Sequence, residues 1–182
     1  RGNTKDNLED YKGAIVDFNK AIELDPEYAW AYTNRGRTKD NLEDYFGAIY
    51  DLTRSIELDP KNAYAYSMRG LAKDSLEEYF GAIYDYTKAI EIGPADSSDY
   101  NNRCWSKYKM EQYKSALSDC NKALSLNSKD EYAYDSRGDV RFALGDKKGA
   151  CDDYKNAIAN GYQPREKYLA SEEGAWCRNM PD

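Results

Sequence analysis

The sequence predicts an all-α protein, a superhelix of stacked antiparallel helix pairs. The first observation is a repeated phrase: GAIVDFNKAIELDP, GAIYDLTRSIELDP and GAIYDYTKAIEIGP start at Gly13, Gly47 and Gly81. The second is its interval, since Pro26, Pro60 and Pro94 are 34 residues apart. The third is that apolar and small residues recur within each copy at helical spacing. One helix pair cannot bury both of its faces, so the pairs are expected to stack on each other.

The repeat interval divides the chain into consecutive units of two helices. We predict an array over residues 1–164, with a partial unit at 1–28 and complete units at 29–62, 63–96, 97–130 and 131–164. A capping helix and tail are predicted for 165–182, because a terminal unit needs a polar cover. The chain begins with Arg rather than Met, which leaves open further repeats or a targeting segment before residue 1.

Each element of a unit has its own signal in the sequence. In the first helix of the unit at 63–96, Tyr66, Gly70 and Lys73 share a face. In the second helix, Ala82 and Tyr86 lie one turn apart, and Ala89 continues the same stripe. Small residues in these stripes predict that the two helices approach closely. Proline near the end of a unit terminates the second helix.

These columns resemble the tetratricopeptide repeat, whose pattern places a bulky residue, Gly, an aromatic, Ala, an aromatic, Ala and Pro at fixed offsets. The resemblance covers almost the whole chain, in five consecutive units. It implies a right-handed superhelix in which the first helices line a concave groove and the second helices form the convex face. Two columns depart from the family: position 7 is always Arg, and position 11 is always Lys or Arg.

The arginine column is matched by an aspartate column on the second helix. The four complete units supply the pairs Arg35 and Asp51, Arg69 and Asp85, Arg103 and Asp119, and Arg137 and Asp153. One interpretation is a structural ladder of ion pairs inside the array; the other is a stripe of arginines that binds an anionic ligand. The ladder is favoured because each arginine has a candidate carboxylate in its own unit.

The resemblance also implies which side chains face the groove. Carried over position by position, the predicted peptide-binding residues are Trp30, Thr33, Asn34, Arg37, Tyr64, Asn101, Asn102, Trp105, Tyr108 and Tyr132. Aromatic side chains are candidate anchors for a peptide, and amides can hold an extended backbone. A carboxylate clamp of the chaperone-binding type is not expected, because no three successive units supply its cations.

Composition narrows the function further. The net charge is −7 and histidine is absent, which disfavours nucleic-acid binding and removes the commonest general base and metal ligand. No nucleophile or phosphate-binding motif occurs, so neither an enzyme nor a cofactor or metal site is expected. Four widely spaced cysteines favour unpaired packing residues in a cytoplasmic or other reducing compartment, without a disulfide framework.

The function predicted from these observations is a non-catalytic module that binds a protein or peptide in its groove. A neutral or basic partner is favoured over an acidic one, and no apolar stretch is long enough to insert into a membrane. The alternative is an assembly scaffold that self-associates through its convex face and its open ends. The partner itself is not readable from the repeats.

Overall fold

Eleven helices and no strand form the described part of this computed structural model, which comprises residues 10–94, 96–172 and 174–179. The helices are α1 (Tyr11–Leu24), α2 (Ala29–Asn41), α3 (Tyr45–Leu58), α4 (Ala63–Ser75), α5 (Tyr79–Ile92), α6 (Ser97–Lys109), α7 (Tyr113–Leu126), α8 (Glu131–Ala143), α9 (Lys147–Ala159), α10 (Gln163–Ala170) and α11 (Ala175–Arg178). The pairs α2–α3, α4–α5, α6–α7 and α8–α9 each fall within one predicted repeat. The predictions for residues 1–9, including the start of the partial unit, lie outside the described residues.

The chain divides into two compact units, residues 1–94 and 95–182. From here on, these are called the first and the second unit, and the 34-residue elements are called repeats. The first unit contains α1 to α5, and the second contains α6 to α11. No helix among the described residues has the length and apolar character that crossing a bilayer requires.

Aspartates fix where several second helices begin. Asp10, Asp44 and Asp146 each accept a hydrogen bond from the backbone N–H of the glycine three residues later, at 2.9–3.0 Å. Such a cap satisfies one of the N–H groups that the first turn of a helix leaves unpaired. The second helices therefore start at the same position in these repeats.

Small residues bring the two helices of a pair into contact. Ala14, Ala48, Ala82, Ala116 and Ala150, one for each repeat, are fully buried. A Cβ added to Gly36 would lie 2.7 Å from Cγ of Leu52, and one added to Gly70 would lie 2.8 Å from Cε1 of Tyr86. These separations are too short for a side chain larger than glycine, so the first helix must carry glycine where it meets the bulky residue of the second helix.

The turn within each helix pair places one residue in the left-handed region. Glu43, Glu77 and Glu111 have φ of 62°, 60° and 60°, and Gly145 occupies the equivalent position with φ of 86°. This conformation costs a residue with a side chain roughly 1–2 kcal/mol. The three glutamates are therefore strained where the last repeat has glycine.

We expect Glu77→Gly to raise the free energy of unfolding by about 0.5 kcal/mol, because relief of the backbone strain exceeds the extra entropy of an unfolded glycine. Urea denaturation followed by circular dichroism measures this difference. The matched control is Gly145→Ala, which should destabilise by about 1 kcal/mol although, among the described residues, no atom beyond the adjoining residues lies within 4 Å of the added methyl group. If both variants shift stability in the same direction, backbone strain is not the cause.

The pairing of the cysteines contradicts the prediction from the sequence. Cys104 is bonded to Cys120, with Cα atoms 5.5 Å apart, and Cys151 is bonded to Cys177, with Cα atoms 5.3 Å apart. All four are buried, as expected for Cys104 and Cys120 at core positions, but the expectation that the chain has no disulfide framework is wrong. Cys104 and Cys120 occupy the columns where other repeats have a glycine in contact with a bulky side chain. The two helices lie close together at this point, which makes the bond possible.

Disulfides persist mainly in oxidising compartments, so the predicted reducing compartment gains no support from these bonds and stays a prediction.

The second disulfide attaches the C-terminal helices to the last repeat. Cys177 of α11 is bonded to Cys151 of α9, and Leu169 of α10 is buried in the same cluster. The ring of Trp176 lies 5.1 Å from that of Phe142. The predicted capping segment is thus helical, but its first helix ends at Ala170, and a short second helix follows.

Candidate functional site

The arginine and aspartate columns form two-pronged ion pairs in all four complete repeats. In each pair, the arginine donates from Nε and Nη2 to the two carboxylate oxygens of an aspartate 16 residues later, at 2.6–2.9 Å. Asp51 and Asp85 are completely buried. This geometry is the strongest form of arginine–carboxylate hydrogen bonding.

The second cationic column contacts the same aspartates. Lys39 binds Asp51 at 2.8 Å, and Lys73 binds Asp85 at 2.7 Å; equivalent contacts join Lys107 to Asp119 and Arg141 to Asp153. Each aspartate therefore has two cations around it.

The arginines have further contacts within their unit. The guanidinium of Arg35 lies 5.4 Å from the ring centroid of Tyr32, and its Nη1 donates to Asn19 at 2.6 Å. The hydrogen bond to Asp51, together with the charge of that carboxylate, raises the pKa of Arg35 above its ordinary value. These contacts orient the guanidinium inwards and favour a structural role over the binding of an anionic ligand.

The predicted groove residues of the first unit fall into two groups. Trp30 and Tyr64 expose nearly half of their surface, whereas Thr33 and Asn34 are buried. Thr33 Oγ1 is 2.6 Å from Ser55 Oγ, and Asn34 donates to the carbonyl of Trp30 at 2.8 Å. Thr33 and Asn34 bond within the unit, so Trp30 and Tyr64 are the exposed members of these four predicted groove residues.

Asp40 and Arg37 both lie close enough to Tyr64 for their charges to act on it. Burial raises the pKa of Tyr64; the charge of Arg37 opposes this shift, and that of Asp40 adds to it. Oδ1 of Asp40 is buried without a hydrogen-bond partner among the described residues. Burial also raises the pKa of the Asp40 carboxyl, so its ionised form is disfavoured in the fold.

We expect Asp40→Asn to stabilise the protein at pH 7. A carboxyl whose pKa is higher in the folded than in the unfolded state destabilises the fold at pH values above both, and this penalty is relieved as the pH falls through the folded value. The gain in melting temperature should therefore be largest near neutrality and shrink as the pH approaches about 4. Thermal melts across this pH range measure it; a gain that stays constant with pH would contradict the burial argument.

The second unit contains a cleft of about 220 Å³. It is lined by Asn101, Asn102, Trp105, Tyr132, Asp135, Ser136 and Tyr162. Four of these seven are predicted groove residues: the two asparagines, Trp105 and Tyr132. Tyr108 lies beside the cleft, with its ring 5.4 Å from that of Trp105. The cleft therefore brings together four of the ten predicted groove residues.

The cleft has one unsatisfied acceptor. Asn101 is 9% exposed, and its Oδ1 is buried without a hydrogen-bond partner in the described part of the chain. A buried polar atom of this kind costs free energy unless a ligand or water supplies a donor.

A charged network extends from Asp135, which lines the cleft. Arg165 Nε donates to Asp135 at 2.5 Å, and its Nη2 donates to Asp139 at 2.9 Å. The hydroxyl of Tyr154 also donates to Asp139, at 2.8 Å. Burial raises the pKa of Asp135, and the hydrogen bond from Arg165 partly opposes this shift. Burial alone would lower the pKa of Arg165, but its two carboxylate partners raise it.

Sequence reasoning did not select Asp135, Ser136, Tyr162 or Arg165 as site residues. Asp135 and Ser136 stand at groove positions of the repeat, which was the available signal. Tyr162 stands where the first three repeats, counting the partial one, have a proline near their end, and this departure marked it as unusual. Arg165 follows the last repeat and could not be connected to Asp135 without the fold.

An exposed aromatic face lies elsewhere, on the second helices of the first unit. Phe46 and Tyr50 of α3 and Phe80 and Tyr84 of α5 are 53–78% exposed. The equivalent positions in the second unit are Lys114, Ser118, Lys148 and Asp152. We refer to the four rings as the outer aromatic face.

Groups of acidic and cysteine side chains suited to a metal ion are absent from the described residues.

Comparisons with known proteins identify the fold. A family model described as TPR repeat matches residues 7–38. The crystal structure of MamA has a TM-score of 0.80 and 24% identity, covering 91% of this chain and 96% of that one. The crystal structure of YrrB, a TPR protein with an unusual peptide-binding site, has a TM-score of 0.78 and 18% identity, covering 93% of this chain and 89% of that one.

TTC0263, a thermophilic TPR protein in Thermus thermophilus, has a TM-score of 0.71 and 16% identity, covering 98% of this chain and 96% of that one. No curated protein matches the chain. The all-α fold read from the sequence is confirmed: residues 7–38 match the tetratricopeptide-repeat model, and solved tetratricopeptide-repeat proteins share the fold of the chain.

Proposed function

We propose that the protein is a non-catalytic interaction module that binds a peptide or an extended protein segment, with the cleft of the second unit as its anchoring point. The tetratricopeptide fold supports protein–protein interaction in general. The observation that carries the finer proposal is the convergence of Asn101, Trp105 and Tyr132 on one cleft whose buried amide oxygen lacks a donor among the described residues.

The geometry suits a bound peptide rather than a small metabolite. The cleft volume of about 220 Å³ is below the roughly 300–1,000 Å³ of typical small-molecule pockets. It accommodates a side chain of a longer ligand whose remaining length lies over the neighbouring surface. Exposed Trp and Tyr are the side chains that most often anchor such contacts.

A random peptide library displayed on phage tests this proposal with the full chain as bait. We expect Trp105→Ala and Tyr132→Ala each to reduce retention of the selected peptides by about tenfold or more, as expected for an anchor worth at least about 1.4 kcal/mol. Phe80→Ala on the outer aromatic face is the matched control, because it also removes an exposed ring. Peptides that bind both cleft variants as well as the unaltered chain would place the binding surface elsewhere.

The outer aromatic face supports a second candidate, an assembly scaffold that self-associates. Its four large rings are 53–78% exposed, and exposed apolar surface is typical of interaction sites where it forms a patch. The ion pairs Arg54–Glu57 and Lys88–Glu91 lie on the same two helices, so each helix carries both signs of charge and a second copy meets no uniform repulsion. Sedimentation velocity over a range of concentrations tests it. Self-association that Phe80→Ala weakens and Trp105→Ala leaves unchanged supports this candidate, and a monomer at all concentrations refutes it.

A further inference from the structure

Two side chains of the cleft in the second unit, Asn101 and Asp135, present acceptors that a ligand can satisfy. Asn101 Oδ1 has no donor among the described residues, and an amide oxygen can only accept. The carboxylate of Asp135 lies in the same lining, together with the hydroxyl of Ser136. A ligand that fills this cleft is therefore selected for hydrogen-bond donors.

The charges around Asp135 favour a cation among possible donors. Asp135 and Asp139 share one guanidinium, that of Arg165, so the ionised network has one uncompensated negative charge. A positively charged group brought into the cleft offsets that charge, whereas a carboxylate meets the carboxylate of Asp135 and the unsatisfied oxygen of Asn101.

The rings of the cleft suit the remainder of a basic side chain. The ring of Tyr132 meets that of Tyr162 edge-on at 5.4 Å, and Trp105 stands at the same cleft. Aromatic faces attract ammonium and guanidinium groups, and the long apolar stems of Lys and Arg pack on apolar surface. The chain itself provides an example, since Nζ of Lys109 lies 5.6 Å from the ring centroid of Trp105.

We propose that this cleft is a subsite for a basic side chain, lysine or arginine, of the bound segment, with Asn101 and Asp135 accepting its hydrogen bonds and Trp105 and Tyr132 packing on its stem. This inference rests on the proposed function and specifies the chemistry of the partner at one position.

The test uses two small probes, Nα-acetyl-lysine methylamide and its uncharged analogue Nα-acetyl-norleucine methylamide. Each is titrated into the ¹⁵N-labelled full chain, and the indole N–H signal of Trp105 is followed by NMR. The lysine probe should shift this signal saturably, with a dissociation constant at least about tenfold lower than that of the norleucine probe. Trp176, whose indole nitrogen donates to the Tyr168 hydroxyl, provides a signal outside the cleft that reports intact folding.

The variant Asn101→Leu keeps the size of the side chain and removes its acceptor. We expect it to weaken the lysine probe by about tenfold and to leave the norleucine probe unchanged or slightly tighter. Equal binding of the two probes, or an unchanged constant for the lysine probe in Asn101→Leu with an intact Trp176 signal, overturns the inference.

The peptide library separates this inference from the proposed function. If library peptides bind through Trp105 but show no Lys or Arg at a fixed position, the basic subsite is wrong and the peptide-binding function stands. If neither library peptides nor the lysine probe respond to the cleft variants, both fail.

Discussion

Replacing Asp153 by alanine is expected to lower the free energy of unfolding by about 3–5 kcal/mol, the cost of removing one partner from a buried ion pair. The Asp153 side chain is 1% exposed and accepts hydrogen bonds from Arg137 at 2.7 and 2.9 Å and from Arg141 at 2.8 Å. Its loss leaves two guanidinium groups at the helix interface without their carboxylate. Urea denaturation followed by circular dichroism measures the effect.

The preceding residue in α9 provides a matched control. Asp152 has the same side chain on the same helix but is exposed, so Asp152→Ala should change stability by less than about 0.5 kcal/mol. Equal effects of the two substitutions would show that the ion pairs of the repeats contribute no more than surface charges.

Removing the disulfide of the third complete repeat is expected to have the second largest effect. Cys104 and Cys120 are 16 residues apart, and closing a loop of this length stabilises a fold by about 3 kcal/mol, through the reduced entropy of the unfolded chain in the usual account. The double variant Cys104→Ala with Cys120→Ala should lose this amount under non-reducing conditions. Denaturation curves of the oxidised proteins provide the comparison.

The repeat itself supplies the control for this variant. Gly70 contacts Tyr86, and Gly138 contacts Tyr154, at the columns that the two cysteines occupy. Substituting Cys104→Gly with Cys120→Tyr should therefore recover part of the lost stability, because the ring fills the space with the packing used by other repeats. A double alanine variant as stable as the unaltered chain would indicate that the two thiols are not bonded in solution.

The helix pairs could be predicted because their signals are local and are repeated. The interval between prolines, the alanine of the second helix and the glycine of the first recur in sequence positions that a single unit must satisfy. The pairing of Arg35 with Asp51 was also expected, because both residues lie in one unit and recur together. Repetition makes these contacts visible from the sequence, since the residues that form a contact inside one repeat recur at the same positions of the next.

The candidate site was predicted only in part, for a different physical reason. Groove positions identified Trp105 and Tyr132, but not the contribution of Arg165, which lies 30 residues from its partner Asp135 and outside the repeats. The buried amide oxygen of Asn101 was equally invisible, because lack of a donor among the described residues depends on every neighbouring side chain.

The sequence by itself determined the all-α repeat architecture, the helix pairs and the residues that pack within each pair. Only the tertiary structure decided that Cys151 bonds Cys177 across 26 residues, that Arg165 pairs with Asp135 of the cleft and that Phe80 and Tyr84 stand exposed. The reason is that helix formation and packing within a hairpin depend on residues close in sequence. A cleft or a disulfide to the C-terminal helix depends on where distant backbone segments meet, and no periodic pattern records this.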